Sequence, residues 1–169
     1  MTTPAIAPLS PAEEAAWRAF ARAVLVIPRV LDGELLETEG LNLAEYTVLM
    51  VLSEQPDRSM RMSDLASAAA ITVSGLTRLV NRLGQQGLVE RVRCAADGRG
   101  QLAVLTPAGL GRLEKAYRTH LAGVREHVMD HLTSLDLPAF TEAVGRVAAA
   151  QVASPARRVQ PSSTRVEPS

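Results

Sequence analysis

Laid on a helix at ~100° per residue, the side chains between Val73 and Gln86 sort into two kinds. Leu76, Leu79, Val80 and Leu83 fall on one side with Val73 at their edge, while Ser74, Arg78, Asn81 and Gln85 fall opposite, flanked by Thr77 and Arg82. The outer side contains no carboxylate. A merely solvated helix face usually carries some Glu or Asp, whereas a helix lying in the major groove needs donors for phosphate oxygens and base-edge acceptors. Arg78 and Asn81 are the candidates for base edges, and Thr72, Ser74, Thr77 and Arg82 for supporting phosphate and groove contacts. More arginines follow at once: Arg91, Arg93 and then Arg99, set between Gly98 and Gly100. Glycines there let a loop tip approach phosphates closely. Asp97, two residues before Arg99, can orient its guanidinium; the same residue type also serves as a plain turn former.

Other chemistries find less material. There is no Gly-rich phosphate loop, no Ser-His-Asp or Cys-His order with supporting context, and no paired carboxylates at an apolar site, so neither an enzyme nor a cofactor is expected. His120, His127 and His131 lie within about 40° of one another if one helix carries all three. His127 and His131, four apart, have a spacing that can chelate a metal. With one cysteine and no evident fourth ligand, no metal site is expected. The lone Cys94 excludes an intramolecular disulfide, fits a reducing cytosol, and reads as a passive small residue.

These groups have to be positioned by helices. Ser10-Pro11-Ala12-Glu13 is a capping box with proline at the first helical position. Trp17, Phe20, Val24, Ile27, Leu31 and Leu35 then keep helical spacing to a stop at Gly40, and Pro28 within the run predicts a kinked helix or two helices. Asn42 caps a second helix ending near Glu54, and residues 55–58 form a turn. A short helix spans Ser63 to Ala69. Thr72 caps the next, and Gly87 stops it. Residues 88–93 and 101–105 read as a hairpin with a long loop. Thr106-Pro107 opens a helix carrying Leu110, Leu113, Tyr117, Leu121, Val124, Val128 and Leu132, and Asp136 and Pro138 open a last one to about Val152.

The 169 residues balance 18 basic against 18 acidic side chains, with 47% hydrophobic, enough for a core. The balance is uneven along the chain: residues 1–56 hold three arginines against eight acids, and residues 57–101 seven arginines against four. Of the 18 basic residues only Lys115 is a lysine. Arginine favours bidentate contacts to phosphate and guanine. No run reaches membrane-span length and no secretory signal is visible, so a cytoplasmic, nucleoid-associated protein with no membrane partner is expected.

Helix, short turn, helix, hairpin is the order of a winged helix-turn-helix. The segments Met62-Ser63-Asp64-Leu65-Ala66, Leu76-Thr77-Arg78-Leu79-Val80-Asn81-Arg82-Leu83, Gly87-Leu88-Val89-Glu90-Arg91, Asp97-Gly98-Arg99-Gly100 and Leu105-Thr106-Pro107-Ala108-Gly109 together resemble the MarR family of bacterial transcriptional regulators. The resemblance runs from about Trp17 to Val152. It implies a mostly α fold with a small β-wing, a winged helix-turn-helix with long dimerisation helices from both ends of the chain. The corresponding division is a flexible tail (1–9), a dimerisation helix kinked near Pro28 (10–40), a DNA-binding domain (41–105), dimerisation helices (106–152) and a disordered tail (153–169). It further implies a homodimer on double-stranded DNA, with the 73–86 helix in the major groove, Arg99 in the minor groove and Asp97 supporting it. The role implied is repression from a pseudo-palindromic operator, relieved by a small anionic or phenolic ligand. Such a ligand would lie where the first, second and fifth helices meet the DNA-binding lobe; Trp17, Phe20, Tyr46 and Tyr117 are nearly all the aromatics available to line it, with Arg18 and Arg22 for its charge, and the other reading of the four is plain core. Two features depart from the family's sensing branches: the cysteine sits beside the wing, and the first two helices contain no histidine. The alternatives are a metal-responsive winged-helix regulator and a winged-helix protein-interaction module without DNA binding.

Overall fold

The computed structural model describes residues 7–93 and 100–153. The wing tip with Cys94, Asp97 and Arg99, and the tail residues 1–6 and 154–169, lie outside the described residues. The chain divides into two compact units, residues 1–130 and 131–169.

The first unit opens with helix α1 (Pro11–Glu39). Ser10 and Glu13 form the reciprocal cap the sequence predicts, and Gly40 closes the helix with φ 62°, its N–H donating to the Leu36 carbonyl at 3.0 Å. Pro28 lies inside it without dividing it. The two-helix alternative is therefore set aside: α1 is one uninterrupted helix of 29 residues. Helix α2 (Leu43–Ser53) starts on a second reciprocal cap, Asn42 with Glu45, and Asp32 of α1 accepts the Leu43 N–H at 2.7 Å. A short strand β1 (Ser59–Arg61) leads into α3 (Met62–Ala68), and α4 (Val73–Gln85) follows after a turn in which Ala70 takes φ 53°. Strands β2 (Val89–Arg93) and β3 (Gln101–Leu105) make the wing.

All pairing in the sheet is antiparallel, in the order β1-β3-β2, with Val89 opposite Leu105, Arg93 opposite Gln101, and Met60 opposite Ala103. The sequence reading missed β1. Three residues, Ser-Met-Arg, are too few to show an alternating pattern, and they become a strand only because β3 offers an edge.

Helix α5 (Pro107–His127) runs back along α1 and α2. Thr106 accepts the Gly109 N–H at 2.9 Å and donates its own hydroxyl to the Gly87 carbonyl at 2.7 Å, fixing the start of α5 to the end of the α4 turn. Gly109 has to be glycine, because a Cβ there would run into the carbonyl oxygen of Leu88. The helix ends earlier than its apolar spacing predicts. Val128 leaves helical geometry at φ −132°, and Met129–His131 form a 3-10 turn, so His131 is not on α5 and the predicted three-histidine stripe is not made.

The core lies between the helix-turn-helix, the sheet and the ends of α1 and α5. Leu35, Leu41, Leu49, Leu52, Leu65, Leu76, Leu83, Val48, Val80 and Val89 are its fully buried large side chains. Burying each of these side chains stabilises the fold by about 1.5–3 kcal/mol. The first two-thirds of α1 contributes nothing to it: Trp17, Phe20, Val24, Leu25, Val26 and Val30 are exposed.

The second unit contains α6 (Leu137–Ala153), whose first turn is capped by Asp136 accepting the Ala139 N–H at 3.2 Å. Among the described residues no helix is long and apolar enough to cross a membrane.

Candidate nucleic-acid interface

Helix α4 sorts its side chains as the sequence predicts. Leu76, Leu79, Val80 and Leu83 are buried; Ser74, Arg78 and Asn81 are exposed. Thr72 caps the helix by accepting the Gly75 N–H at 3.1 Å, and Gly75 makes room, since a Cβ there would sit 3.0 Å from the Thr72 hydroxyl. The uncompensated N–H groups and dipole at this end favour a phosphate. Thr77 is committed inward, its hydroxyl donating to the Val73 carbonyl at 2.9 Å. Arg78 and Arg93 are exposed and make no ion pair among the described residues.

Two side chains of this surface have partners that the sequence reading did not assign. Arg82 donates through Nε to Glu45 Oε1 at 2.6 Å, while the other oxygen of Glu45 accepts the Asn42 N–H at 2.9 Å. Glu45 is 3% exposed, so one buried carboxylate caps α2 and tethers α4. The Arg82 side chain is still 53% exposed, leaving the rest of its guanidinium within reach of solvent or phosphate. Asn81 Oδ1 accepts from Arg91 at 2.7 Å, and the other terminal nitrogen of Arg91 donates to Gln101. A hydrogen-bonded chain thus runs from α4 through β2 to β3. Val73, placed at the edge of the inner face by its angle, is 59% exposed beside Ser74 and offers an apolar patch of the kind that meets a thymine methyl.

The proposed ligand residues separate into two groups. Tyr46 and Tyr117 line a cavity of about 420 Å³ between α2 and α5, together with Met50, Leu113, Glu54 and Glu114. Trp17, Phe20 and Arg22 stand exposed on the first half of α1, and Arg18 pairs with Glu14 at 2.6 Å. None of these four lines the tyrosine cavity. Burial, and to a lesser degree the neighbouring Tyr117, push the Tyr46 phenol above its usual range. Its ring lies 4.4 Å from that of His120, whose basicity burial lowers and whose Nδ1 is buried without a hydrogen-bond partner. His127 instead contacts Glu34 at 2.5 Å, a hydrogen bond that raises its pKa. Among the described residues no three His, Cys, Asp or Glu side chains come together as a metal site.

The fold matches those of known regulators. The structure superposes on AbsC, a MarR family transcriptional regulator of Streptomyces coelicolor, with a TM-score of 0.81 and 34% identity, covering 88% of this chain and all (100%) of that one. The chain belongs to the MarR family. The MarR family model matches residues 39–100, the stretch from the end of α1 to the wing. Another MarR family regulator of the same organism, Sco3205, solved in complex with DNA, gives a TM-score of 0.81 at 33% identity, over 90% of this chain and 94% of that one. The transcriptional repressor YetL of Bacillus subtilis is 26% identical over 63% of this chain and 63% of its own length. The matched stretches span 47% to 63% of the curated relatives' lengths. Within this fold, α3 and α4 form the helix-turn-helix and β2-β3 the wing.

Proposed function

We propose that this protein is a transcriptional repressor that binds a pseudo-palindromic operator as a homodimer. The exposed face of α4, which carries Ser74, Arg78 and Asn81 and no carboxylate, is the observation that supports this most. Arg78 and Asn81 read base edges; Thr72, Ser74 and Arg82 contact phosphates at one end and flank of the helix; Arg93 and Arg99 extend the contact along the wing, with Asp97 orienting Arg99. Thr77, its proton held by Val73, can offer a methyl group or a lone pair. A protein acting on chromosomal DNA in this way works in the cytoplasm, at the nucleoid.

Association with a second copy has its own support. Trp17 and Phe20 are exposed together with five large aliphatic side chains of α1, a surface that a soluble monomer rarely leaves open. Two-fold pairing places two recognition helices at half-sites about one helical turn apart.

The fitting test is a fluorescence-anisotropy titration of DNA fragments flanking the encoding gene, over a salt series. Tight binding to one fragment, falling linearly on a log–log salt plot, is expected. Equal affinity for that fragment and for random duplex overturns the reading, and no salt-dependent binding at all favours an interaction module. A metal-responsive regulator loses its motivation, because His131 lies beyond α5 and His127 engages Glu34.

The tyrosine cavity supports a ligand-controlled repressor, with one change from the expected chemistry. Its charged lining residues are Glu54 and Glu114, and neither Arg18 nor Arg22 lines it. Within one chain a carboxylate ligand would meet carboxylates there. A neutral phenol or an aromatic cation suits the two rings and two acids better.

A further inference from the structure

We infer that Asn81 reads its base as a donor only, because Arg91 has taken its carbonyl oxygen, and that Arg91 thereby sets base preference at one position of each half-site. This rests on the reading of α4 as the DNA-reading helix.

An unencumbered asparagine in the major groove pairs with adenine, accepting from N6 and donating to N7. Asn81 is not unencumbered. Arg91 Nη1 lies 2.7 Å from its Oδ1, and the other terminal nitrogen of Arg91 is held by Gln101 Oε1. The orientation of both amides follows from chemistry: a guanidinium has five donors and no acceptor, so only the amide oxygens can face it. The NH2 of Asn81 is therefore turned away from Arg91. Asn81 and Arg91 border one groove between α4 and β2.

Oδ1 keeps a second lone pair, but a base amino group approaching it comes up against a guanidinium cation. A base acceptor, in contrast, is drawn both to the outward NH2 and to the positive charge behind it. Guanine offers N7 and O6, and thymine offers O4; cytosine presents an amino group, and adenine sets its N6 amino group beside its N7 acceptor, so the approach to that N7 brings the amino group against the guanidinium. The arrangement selects the keto bases over the amino bases. Gln101, at the far end of the chain, holds Arg91 from swinging out to a phosphate.

The experiment is selection from randomised duplexes with four proteins: the unaltered chain, Asn81→Ala, Arg91→Ala and Arg91→Met. Methionine keeps most of the aliphatic stem and removes the donors, and circular dichroism checks that each variant folds. The expected result is one position per half-site where the unaltered protein selects guanine or thymine and Asn81→Ala loses preference. At that position both Arg91 variants should move toward adenine, by about fivefold or more in relative affinity. Three outcomes overturn the inference: adenine already selected there by the unaltered protein, an Asn81→Ala variant with unchanged preference everywhere, or Arg91 variants that weaken all sequences equally with a shallower salt slope. The last would make Arg91 a phosphate anchor. If the unaltered protein selects no sequence, the DNA-reading function itself fails, a result distinguishable from all three.

Discussion

Arg78 and Arg82 sit four residues apart on α4 in different surroundings. Arg78 is exposed and without an ion pair among the described residues. Arg78→Ala should cost about 1–3 kcal/mol of operator binding, relax one position per half-site, and leave the melting temperature unchanged. Arg82→Ala should lower the melting temperature as well, because it strips a charged partner from buried Glu45. A loss of about 1–3 kcal/mol in urea unfolding is expected. Equal stabilities for the two variants would contradict the tether. His127 supplies a pH dependence. Glu34 holds its pKa above the unfolded value of 6.5, so its contribution is complete below that value and is lost as pH rises through the elevated folded pKa. His120, lowered by burial, acts with the opposite sign and withdraws stability as pH falls through its depressed value. Replacing His127 with Gln should leave the alkaline stability nearly unchanged and lower the acidic side of the melting profile. A uniform drop at all pH values would assign His127 a packing role only.

At the scale of elements, helix starts were legible because capping is local. Ser10 with Glu13, Asn42 with Glu45, and Thr72 and Thr106 each satisfy N–H groups within three residues. The interior proline and the end of α5 were less so. Pro28 costs a hydrogen bond and a clash, yet α1 continues through it, and the apolar spacing past His127 continues into residues that are not helical. Gly109 shows a constraint no propensity reveals, since its necessity comes from a carbonyl of residue 88. Gly109→Ala should destabilise the fold by about 1–3 kcal/mol, as forced overpacking does, whereas Gly111→Ala, with open space at its Cβ, should be neutral or stabilising. Thermal unfolding of the pair checks this; similar gains in both would mean helix propensity, rather than the contact with Leu88, governs.

For the whole molecule, the exposed apolar residues of α1 set the expectation. Light scattering should report a dimer at micromolar concentration, and Phe20→Glu should shift it toward monomer and reduce operator affinity together. A monomer that binds its operator with full affinity would remove the two-fold arrangement. Control by ligand is tested on the same particle. Neutral phenols or small aromatic amines should raise the melting temperature and lower DNA affinity, and reciprocity requires both. Tyr117→Ala should abolish the pair of effects. A response to benzoate-like anions alone would assign the ligand elsewhere, toward Arg18 and Arg22.

The sequence by itself determined the family, the order of helices and wing, and the two faces of α4. Those signals are local or periodic: a cap reaches three residues, a helix face repeats every 3.6. Tertiary structure decided what depends on residues distant in the chain. Glu45 meets Arg82 from 37 residues away and Glu34 meets His127 from 93; β1 exists by pairing with β3. Tyr46 and Tyr117 share a cavity that Trp17 and Phe20 do not reach. Asn81 and Arg91 are only ten residues apart, but they are joined across a turn between helix and strand. Spacing carries no record of such meetings, because the chain's path back to itself is set by the packing of the core and not by any local pattern.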